Sequence, residues 1–165
     1  MFTSKRSISV YLFIILNIVL DQISKFLVRK YVNPNDQIEL IGDYFLMLNV
    51  ENTGAFLGMG SDFNPILKQI LLIAMPILVL GYLIFYILKN TNLDTLSTYA
   101  LAAIAGGGIA NIYDRIRFGS VTDFLFIDLG GVFKTGIFNI ADVSVSTGMI
   151  ILLVMTFRSN KKASL

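Results

Sequence analysis

The chain of 165 residues is 55% hydrophobic and only 15% charged, whereas about a quarter of the residues in a typical soluble domain are charged. The absence of Cys and His excludes disulfide frameworks, thiol nucleophiles, thiolate or imidazole metal sites and histidine-based acid–base catalysis. A net charge of +2 creates no field that attracts polyanions, so no nucleic-acid partner is expected. The length fits a single domain, which we predict over residues 1–165.

Four apolar stretches are long enough to cross a bilayer as helices, which takes about 17–25 residues each. They cover residues 8–28, 66–88, 96–113 and 137–157. Pro76 in the second stretch is tolerable because neighbouring helices can satisfy the freed carbonyl. Lys5 and Arg6 precede the first stretch as in a signal peptide, but that stretch ends in Asp21 and Gln22 without a small-residue cleavage site. The sequence therefore predicts a mainly α-helical membrane protein with four spans.

Four crossings put both termini on one side of the membrane. Basic residues near the two ends, Lys5 and Arg6 at the start and Lys161 and Lys162 at the end, favour the cytoplasm. The opposite side carries as many lysines and arginines, so this charge bias is weak. With cytoplasmic termini, the segments 29–65 and 114–136 are extracytoplasmic.

Polar residues gather at the span ends that share the extracytoplasmic face. At helical spacing they form three stripes, which we expect to face the bundle interior: Asn17, Asp21 and Lys25; Gly107, Asn111 and Asp114 with Arg115 beside them; and Asn139, Asp142 and Ser146. Ionisable groups inside a membrane are costly unless paired, so they mark function by default. The alternative is that Asp21–Lys25 and Asp114–Arg115 are ion pairs at helix ends. Asp142 has no cation within one turn of its own helix.

The two extracytoplasmic segments mix β-forming residues with turn residues. Residues 30–65 and 118–136 are therefore predicted to form a small sheet or hairpin on the membrane face. The segments are rich in aromatic side chains: Tyr44, Phe45, Phe56, Phe124, Phe126 and Phe133. These form an interfacial belt, or some of them line a groove for an acyl chain or an apolar peptide.

Asp123 and Asp142 are the candidate pair for hydrolysis. The chain leaves the membrane and returns between them, so both carboxyl groups can reach one level of one face, although spacing alone does not establish that they meet. Two carboxylates about 3 Å apart share a proton at neutral pH. One then accepts a proton from water while the other donates a proton to a carbonyl oxygen.

Five short strings occur in order along the chain. They are Asp21-Gln22-Ile23-Ser24-Lys25, Asn52-Thr53-Gly54-Ala55, Gly107-Gly108-Ile109-Ala110-Asn111-Ile112-Tyr113-Asp114-Arg115, Val121-Thr122-Asp123-Phe124 and Phe138-Asn139-Ile140-Ala141-Asp142. Each is weak alone, but together, in a four-span chain of this length, they are specific. The sequence resembles the lipoprotein signal peptidase family (signal peptidase II), the membrane aspartyl proteases of bacteria, from about residue 10 to residue 157.

The resemblance implies a multi-pass protein of the bacterial cytoplasmic (inner) membrane with cytoplasmic termini. It implies a small extracytoplasmic β-cradle, a short mobile amphipathic helix that gates a groove, and an active site near the outer face. Asp123 and Asp142 are implied as the catalytic pair, without a metal or organic cofactor. The implied substrate is a prolipoprotein whose cysteine carries diacylglycerol, cut on the amino side of that cysteine. Substrate and membrane lipids are thus the expected partners. A monomer suffices because one chain supplies both Asp.

The resemblance also singles out residues around this pair. Those expected to bind substrate or support the two Asp are Asn52, Gly54, Asn111, Arg115, Asn139 and Ala141. Those expected to be structural or peripheral are Asp21, Lys25 and Asp114. The chain departs from the family at Ala110, where Gly is usual, at Phe56-Leu57, where a smaller residue and then Phe are usual, and at Val143, which replaces a small polar residue. These departures concern the fit of substrate or inhibitor.

Two other functions are weighed against proteolysis. A small tetraspan ion-coupled transporter would use Asp21, Lys25 and Asp142 as an intramembrane ion site. That function predicts polar residues at the bilayer midplane, whereas here they gather near one surface. A membrane scaffold would use the Gly-rich third span to pack against a partner, but it leaves the two Asp unexplained.

Overall fold

The computed structural model describes residues 4–55 and 58–163, with side chains described as far as residue 158. It contains four long helices: α1 (Lys5–Tyr31), α2 (Pro65–Lys89), α3 (Thr95–Phe118) and α4 (Ile140–Ala163). By length and composition all four can cross a membrane, α4 over Ile140–Arg158. The predicted number and order of spans are confirmed, and the boundaries differ by a few residues.

Helix α2 contains a π-helical segment, Ile70–Ala74, immediately before Met75 and Pro76. The Met75 N–H bonds to the carbonyl of Ile70, five residues earlier. Proline has no N–H to donate and its ring crowds the preceding turn. A local change of helical pitch is a common way for a membrane helix to accommodate it.

Three short strands form an antiparallel sheet in the order β1 (Ile38–Ile41), β2 (Phe45–Asn52) and β3 (Val121–Ile127). This confirms the predicted small sheet. Helix α3 leads almost directly into β3, because Gly119 takes a left-handed conformation (φ 77°) that ends the helix. The sheet therefore lies at the end of the bundle where α1 and α3 end and α4 begins.

Strand β2 contains a bulge that decides which of its side chains meet β3. Met47 pairs with Leu125, whereas Val50 pairs with Asp123, so β2 advances three residues while β3 advances two. An extra residue inverts the facing of every side chain beyond it. Asn52 consequently lies on the same face as Asp123, and Glu51 lies on the opposite face, where it accepts a hydrogen bond from the Thr122 hydroxyl (2.6 Å).

Helices α3 and α4 approach each other through glycine. A Cβ at Gly107 would collide with the carbonyl oxygen of Ala141, and one at Gly148 would lie 2.5 Å from the carbonyl oxygen of Ala100. Small residues at membrane helix contacts allow this backbone approach. The contact between Gly107 and Ala141 fixes the first turn of α4, which carries Asp142, against α3.

The structure locates three residues of the predicted aromatic belt and polar stripes. Phe124 is only 3% exposed and packs with Val28 and Val32, so it belongs to the core and not to an aromatic belt or groove. Ser146 is exposed, although it lines the same cavity as Asp142. Asn17 does face α3, since a Cβ at Gly106 would lie 2.8 Å from Asn17 Cβ, and its amide donates to the carbonyl of Phe13 on its own helix (2.8 Å).

The extramembrane segments contain β1, β2, β3, turns and isolated bridges. Within the described residues there is no separate α-helix beside the four long ones. The short amphipathic helix implied by the resemblance stays a prediction. The departures at Phe56 and Leu57 lie outside the described residues.

Candidate active site

A cavity of about 520 Å³ lies between β3, the end of α3, the start of α4 and the segment that precedes α4. Both Asp123 and Asp142 line it. Its other lining residues are Asn52, Ala55, Asn111, Arg115, Val121, Phe133, Lys134, Thr135, Gly136, Ile137, Phe138, Val143, Ser146, Thr147 and Ile150. The two acids therefore share one cavity whose remaining walls are largely apolar.

Asp123 lies in β3 and is only 4% exposed. Its Oδ1 accepts a hydrogen bond from Asn139 Nδ2 (2.6 Å), and its Oδ2 accepts one from Asn52 Nδ2 (2.9 Å). Burial raises the pKa of Asp123 to about 6; the negative charge of Asp142 acts in the same direction, while the two amide donors oppose it. Asp123 therefore holds a proton more readily than an ordinary carboxyl group.

Asp142 is the third residue of the first turn of α4, and Asn139 is the residue that caps this helix. The Asp142 N–H donates to Asn139 Oδ1 (3.0 Å), and the Asn139 N–H donates back to Asp142 Oδ2 (3.1 Å). This reciprocal arrangement is a capping box. Asp142 Oδ1 accepts a further bond from Asn111 Nδ2 (2.9 Å). Both oxygens therefore accept hydrogen bonds, and the carboxylate lies at a helix N-terminus, where negative charge is favoured.

Three asparagine amides surround the two acids, and each is held in one orientation. Their NH₂ groups point to a carboxylate because each amide oxygen already accepts a hydrogen bond. The donors are the Gly54 N–H to Asn52 (3.0 Å), the Asp142 N–H to Asn139 (3.0 Å) and Lys25 Nζ to Asn111 (2.8 Å). Such a network fixes which side of an amide is oxygen and which is nitrogen.

A buried ion cluster lies behind the cavity and does not line it. Lys25 Nζ is 2.8 Å from Asp21 Oδ2 and 2.8 Å from Asp114 Oδ2, and all three side chains are fully buried. Arg29 reaches the other oxygen of Asp114 (3.2 Å). Asp21 Oδ1 also accepts the backbone N–H of Ala141 (2.8 Å). The cluster thereby connects α1 to α3 and to the first turn of α4.

The remaining predicted residues have different positions. Arg115 lines the cavity, and one of its guanidinium nitrogens donates to the carbonyl of Gly54 (3.1 Å). Gly54 and Ala141 are buried and are not among the lining residues. A Cβ at Gly54 would lie 2.5 Å from the carbonyl oxygen of Gly58. These two residues shape the backbone around the cavity.

One face of α4 continues the cavity away from the two acids. Val143, Ser146, Thr147 and Ile150 all line it. Their spacing places them on one side of the helix, and Ile150 lies about 12 Å along the axis from Asp142. Sequence reasoning missed Thr147 and Ile150. Extending the α4 stripe from Ser146 by one residue and by one turn would have found them.

The cavity chemistry is that of carboxylates and amides. Among residues 4–55 and 58–163, no group of three or more Asp and Glu residues is arranged to hold a metal ion. The arrangement can bind a peptide carbonyl, hold a water between two acids and move protons. It brings together Asn52, Asn111, Arg115, Asp123, Asn139 and Asp142, while the ion cluster of Asp21, Lys25 and Asp114 supports them from behind.

Comparison with known proteins agrees with this geometry. The sequence profile of a family described as signal peptidase (SPase) II matches residues 13–158. The lipoprotein signal peptidase of Borreliella burgdorferi (strain ZS7) is 37% identical over 164 residues, which cover 96% of this chain and 95% of the relative. That of Borrelia garinii subsp. bavariensis is 38% identical over 164 residues, with the same coverage of 96% and 95%.

Solved structures share the fold. One described as a bacterial membrane enzyme, determined by the in meso method at 2.3 Å resolution, superposes with a TM-score of 0.82 at 23% identity, covering 93% of this chain and 90% of the other. A second, determined at 1.9 Å resolution, gives a TM-score of 0.77 at 23% identity, covering 90% and 92%. At this identity the similarity establishes the common architecture of four helices and a small sheet.

Proposed function

The chain belongs to the signal peptidase II family, and from this premise we propose that it is an aspartic endopeptidase. It removes signal peptides from prolipoproteins whose cysteine already carries diacylglycerol, cutting on the amino side of that cysteine. The observation that carries the proposal is the double role of Asn139, whose side chain donates to Asp123 and whose backbone donates to Asp142. One residue thus connects both acids at a single cavity.

In the proposed reaction, Asp123 holds the proton and Asp142 is the general base. Asp142 accepts a proton from a water molecule as the water oxygen attacks the scissile carbonyl, and Asp123 gives its proton to the carbonyl oxygen. The resulting gem-diol collapses when the protonated Asp142 gives its proton to the leaving amine and Asp123 recovers a proton from a hydroxyl group. The raised pKa of Asp123 and the position of Asp142 at a helix N-terminus support this division.

Asn111 and Asn139 hold the carboxyl groups of Asp123 and Asp142 in fixed positions by hydrogen bonds. Asn52 donates a further hydrogen bond to Asp123. Fixed N–H donors need no reorganisation when charge moves during the reaction, which is the usual advantage of a preorganised site. Arg115 steadies the turn at Gly54 beside the cavity. These roles require hydrogen bonds and burial, and they require no metal or cofactor.

The shape of the cavity supports an apolar, membrane-held substrate. Its apolar walls and the face of α4 from Val143 to Ile150 offer a path for the signal peptide along the membrane helix. A substrate anchored by its own acyl chains holds its scissile bond near the lipid headgroups. We assign the sheet and the cavity to the outer face of the cytoplasmic membrane, with cytoplasmic termini and a monomeric chain.

The test is cleavage by purified protein in detergent, with a diacylglyceryl-modified prolipoprotein as substrate. Asp123→Asn and Asp142→Asn should each abolish turnover while the thermal unfolding midpoint shows a folded protein. Asp43→Asn is the matched control, because Asp43 is exposed and does not line the cavity. Near-normal turnover by either dyad variant would refute the aspartic mechanism. Equal cleavage of the unlipidated precursor would refute the proposed substrate class.

A further inference from the structure

Lys25 Nζ lies 2.8 Å from oxygens of three different residues. It forms ion pairs with the carboxylates of Asp21 and Asp114, and it donates a hydrogen bond to the amide oxygen of Asn111. One carboxylate is enough to balance the lysine charge and two already contact it, so the bond to a neutral amide is not needed for ion pairing.

That third bond determines which end of Asn111 faces the catalytic cavity. Its oxygen accepts hydrogen bonds from Lys25 Nζ (2.8 Å) and, at a longer distance, from Asn139 Nδ2 (3.3 Å), so its own Nδ2 points to Asp142 Oδ1 (2.9 Å). A flipped amide would put its NH₂ against the ammonium group and its oxygen against a carboxylate. Both contacts would be repulsive, so Lys25, which is the shorter and the charged of the two donors to this oxygen, favours the orientation in which Asn111 donates to Asp142.

We propose that Lys25 is a positioning residue for catalysis, acting on Asp142 through Asn111 rather than only holding the helices together. Its side chain is fully buried and is not among the residues that line the cavity. It therefore acts from behind, without touching substrate. The inference rests on the proposed function, because it assigns Lys25 a role in the same acid–base site.

The experiment is a double-mutant cycle in a charge-balanced background. Lys25→Met alone would leave a buried carboxylate unpaired, so it is combined with Asp21→Asn, whose oxygen can still accept the Ala141 N–H. Asp21→Asn alone is the matched control, since it keeps the Lys25 bond to Asn111. These variants are then compared with Asp21→Asn/Asn111→Ala and with the combination of all three changes, using the lipidated substrate and steady-state kinetics.

The positioning role predicts a loss in kcat with little change in KM. We expect the Asp21→Asn/Lys25→Met protein to lose about 10- to 100-fold in kcat relative to Asp21→Asn, and Asp21→Asn/Asn111→Ala to lose about 100-fold. Adding Lys25→Met to Asp21→Asn/Asn111→Ala should cost no further kcat, because residues that act as a unit are not additive. Losses that multiply, or a balanced variant with the kcat of its control, would overturn the inference.

A second variant keeps the test decisive if the balanced protein does not fold. Asn111→Asp has the shape of the flipped amide, presents an oxygen to Asp142 and gains a charge pair with Lys25. It should stay folded and lose kcat; wild-type kcat would contradict the inference. Failure of this inference is distinguishable from failure of the proposed function, because in the first case Asp123→Asn and Asp142→Asn remain inactive and in the second they do not.

Discussion

Asn139 and Asp142 exchange hydrogen bonds at the start of α4, and the same Asn139 side chain also donates to Asp123. A capping box ordinarily serves only to begin a helix. Here its acidic member is one of the two proposed catalytic residues, and its capping member holds the other. The geometry of the site is therefore tied to the first turn of a membrane helix, which is more rigid than a loop.

Capping and catalysis by Asn139 should be separable by substitution. Ser is a good capping residue, but its hydroxyl is too short to reach Asp123. We expect Asn139→Ser to stay within about 1 kcal/mol of wild-type stability while losing about 100-fold or more in kcat. Asn139→Ala loses both functions, and should unfold at a lower temperature than the Ser variant. Equal activity of Asn139→Ser and wild type would show that the amide only caps the helix.

The pH dependence should report the raised pKa of Asp123. Burial raises that pKa to about 6 in the free protein, and the mechanism needs this group protonated. We therefore expect kcat/KM, which reports free-enzyme groups, to fall as the pH rises through about 6. Bound substrate excludes water further, so the corresponding fall in kcat should occur at higher pH.

The variant Asn52→Ala should move the pKa of Asp123 in a defined direction. The Asn52 amide favours the ionised carboxylate and so lowers the pKa of Asp123. Removing it should raise that pKa and move the alkaline fall of kcat/KM to higher pH. Asp43→Asn should leave the profile unchanged, because Asp43 is exposed and does not line the cavity. A shift of the Asn52→Ala profile to lower pH would contradict the assigned proton position.

Hydrophobic runs suffice to predict the four spans, because a bilayer imposes length and apolarity on any crossing helix. The residues at which these helices begin and end are harder to predict from the sequence. Helix α3 continues to Phe118 rather than ending near residue 113, since Asp114 there is paired with Lys25 and need not leave the bundle. The fourth helix begins at Ile140 rather than 137, because Phe138 pairs with Leu125 beside the sheet.

The candidate site could be predicted only in part. Helical spacing located Asp21, Lys25, Asn111 and Asp142 on common faces. Spacing does not show that Asn52 reaches Asp123, because that depends on the bulge between Met47 and Val50. Without the extra residue, Glu51 would share the face of Asp123, and a third carboxylate would replace an amide donor. A bulge leaves no distinctive trace in a strand of mixed residues, so this relationship needed the structure.

The face of α4 that runs from Val143 to Ile150 and lines the cavity should govern substrate preference. Val143 is partly exposed and lines the cavity next to the proposed base. We expect Val143→Ser to change the ratio of kcat/KM between substrates with large and small residues before the cleavage site by about tenfold, the lower end of the range for one methylene in an apolar pocket. Competition between two lipidated substrates measures this ratio directly. Identical preference in both proteins would exclude Val143 from the binding face.

The closest approach of α3 and α4 offers a final prediction about stability and activity together. A Cβ at Gly107 would meet the carbonyl oxygen of Ala141 and lie 2.9 Å from Val145 Cγ2. Backbone cannot yield as a flexible side chain does, so Gly107→Ala must push the first turn of α4 away from α3. We expect it to lower the free energy of unfolding by about 1–3 kcal/mol, as overpacking does, and to reduce kcat sharply because Asp142 moves with that turn.

Gly81→Ala is the matched control, because a Cβ at Gly81 in α2 meets nothing within 4 Å. Ala is the better helix former, so this variant should be as stable as wild type or slightly more so, with unchanged turnover. Thermal unfolding in detergent and cleavage of the lipidated substrate measure both effects on the same samples. A Gly107→Ala protein with wild-type stability and turnover would mean that the contact between α3 and α4 does not position Asp142.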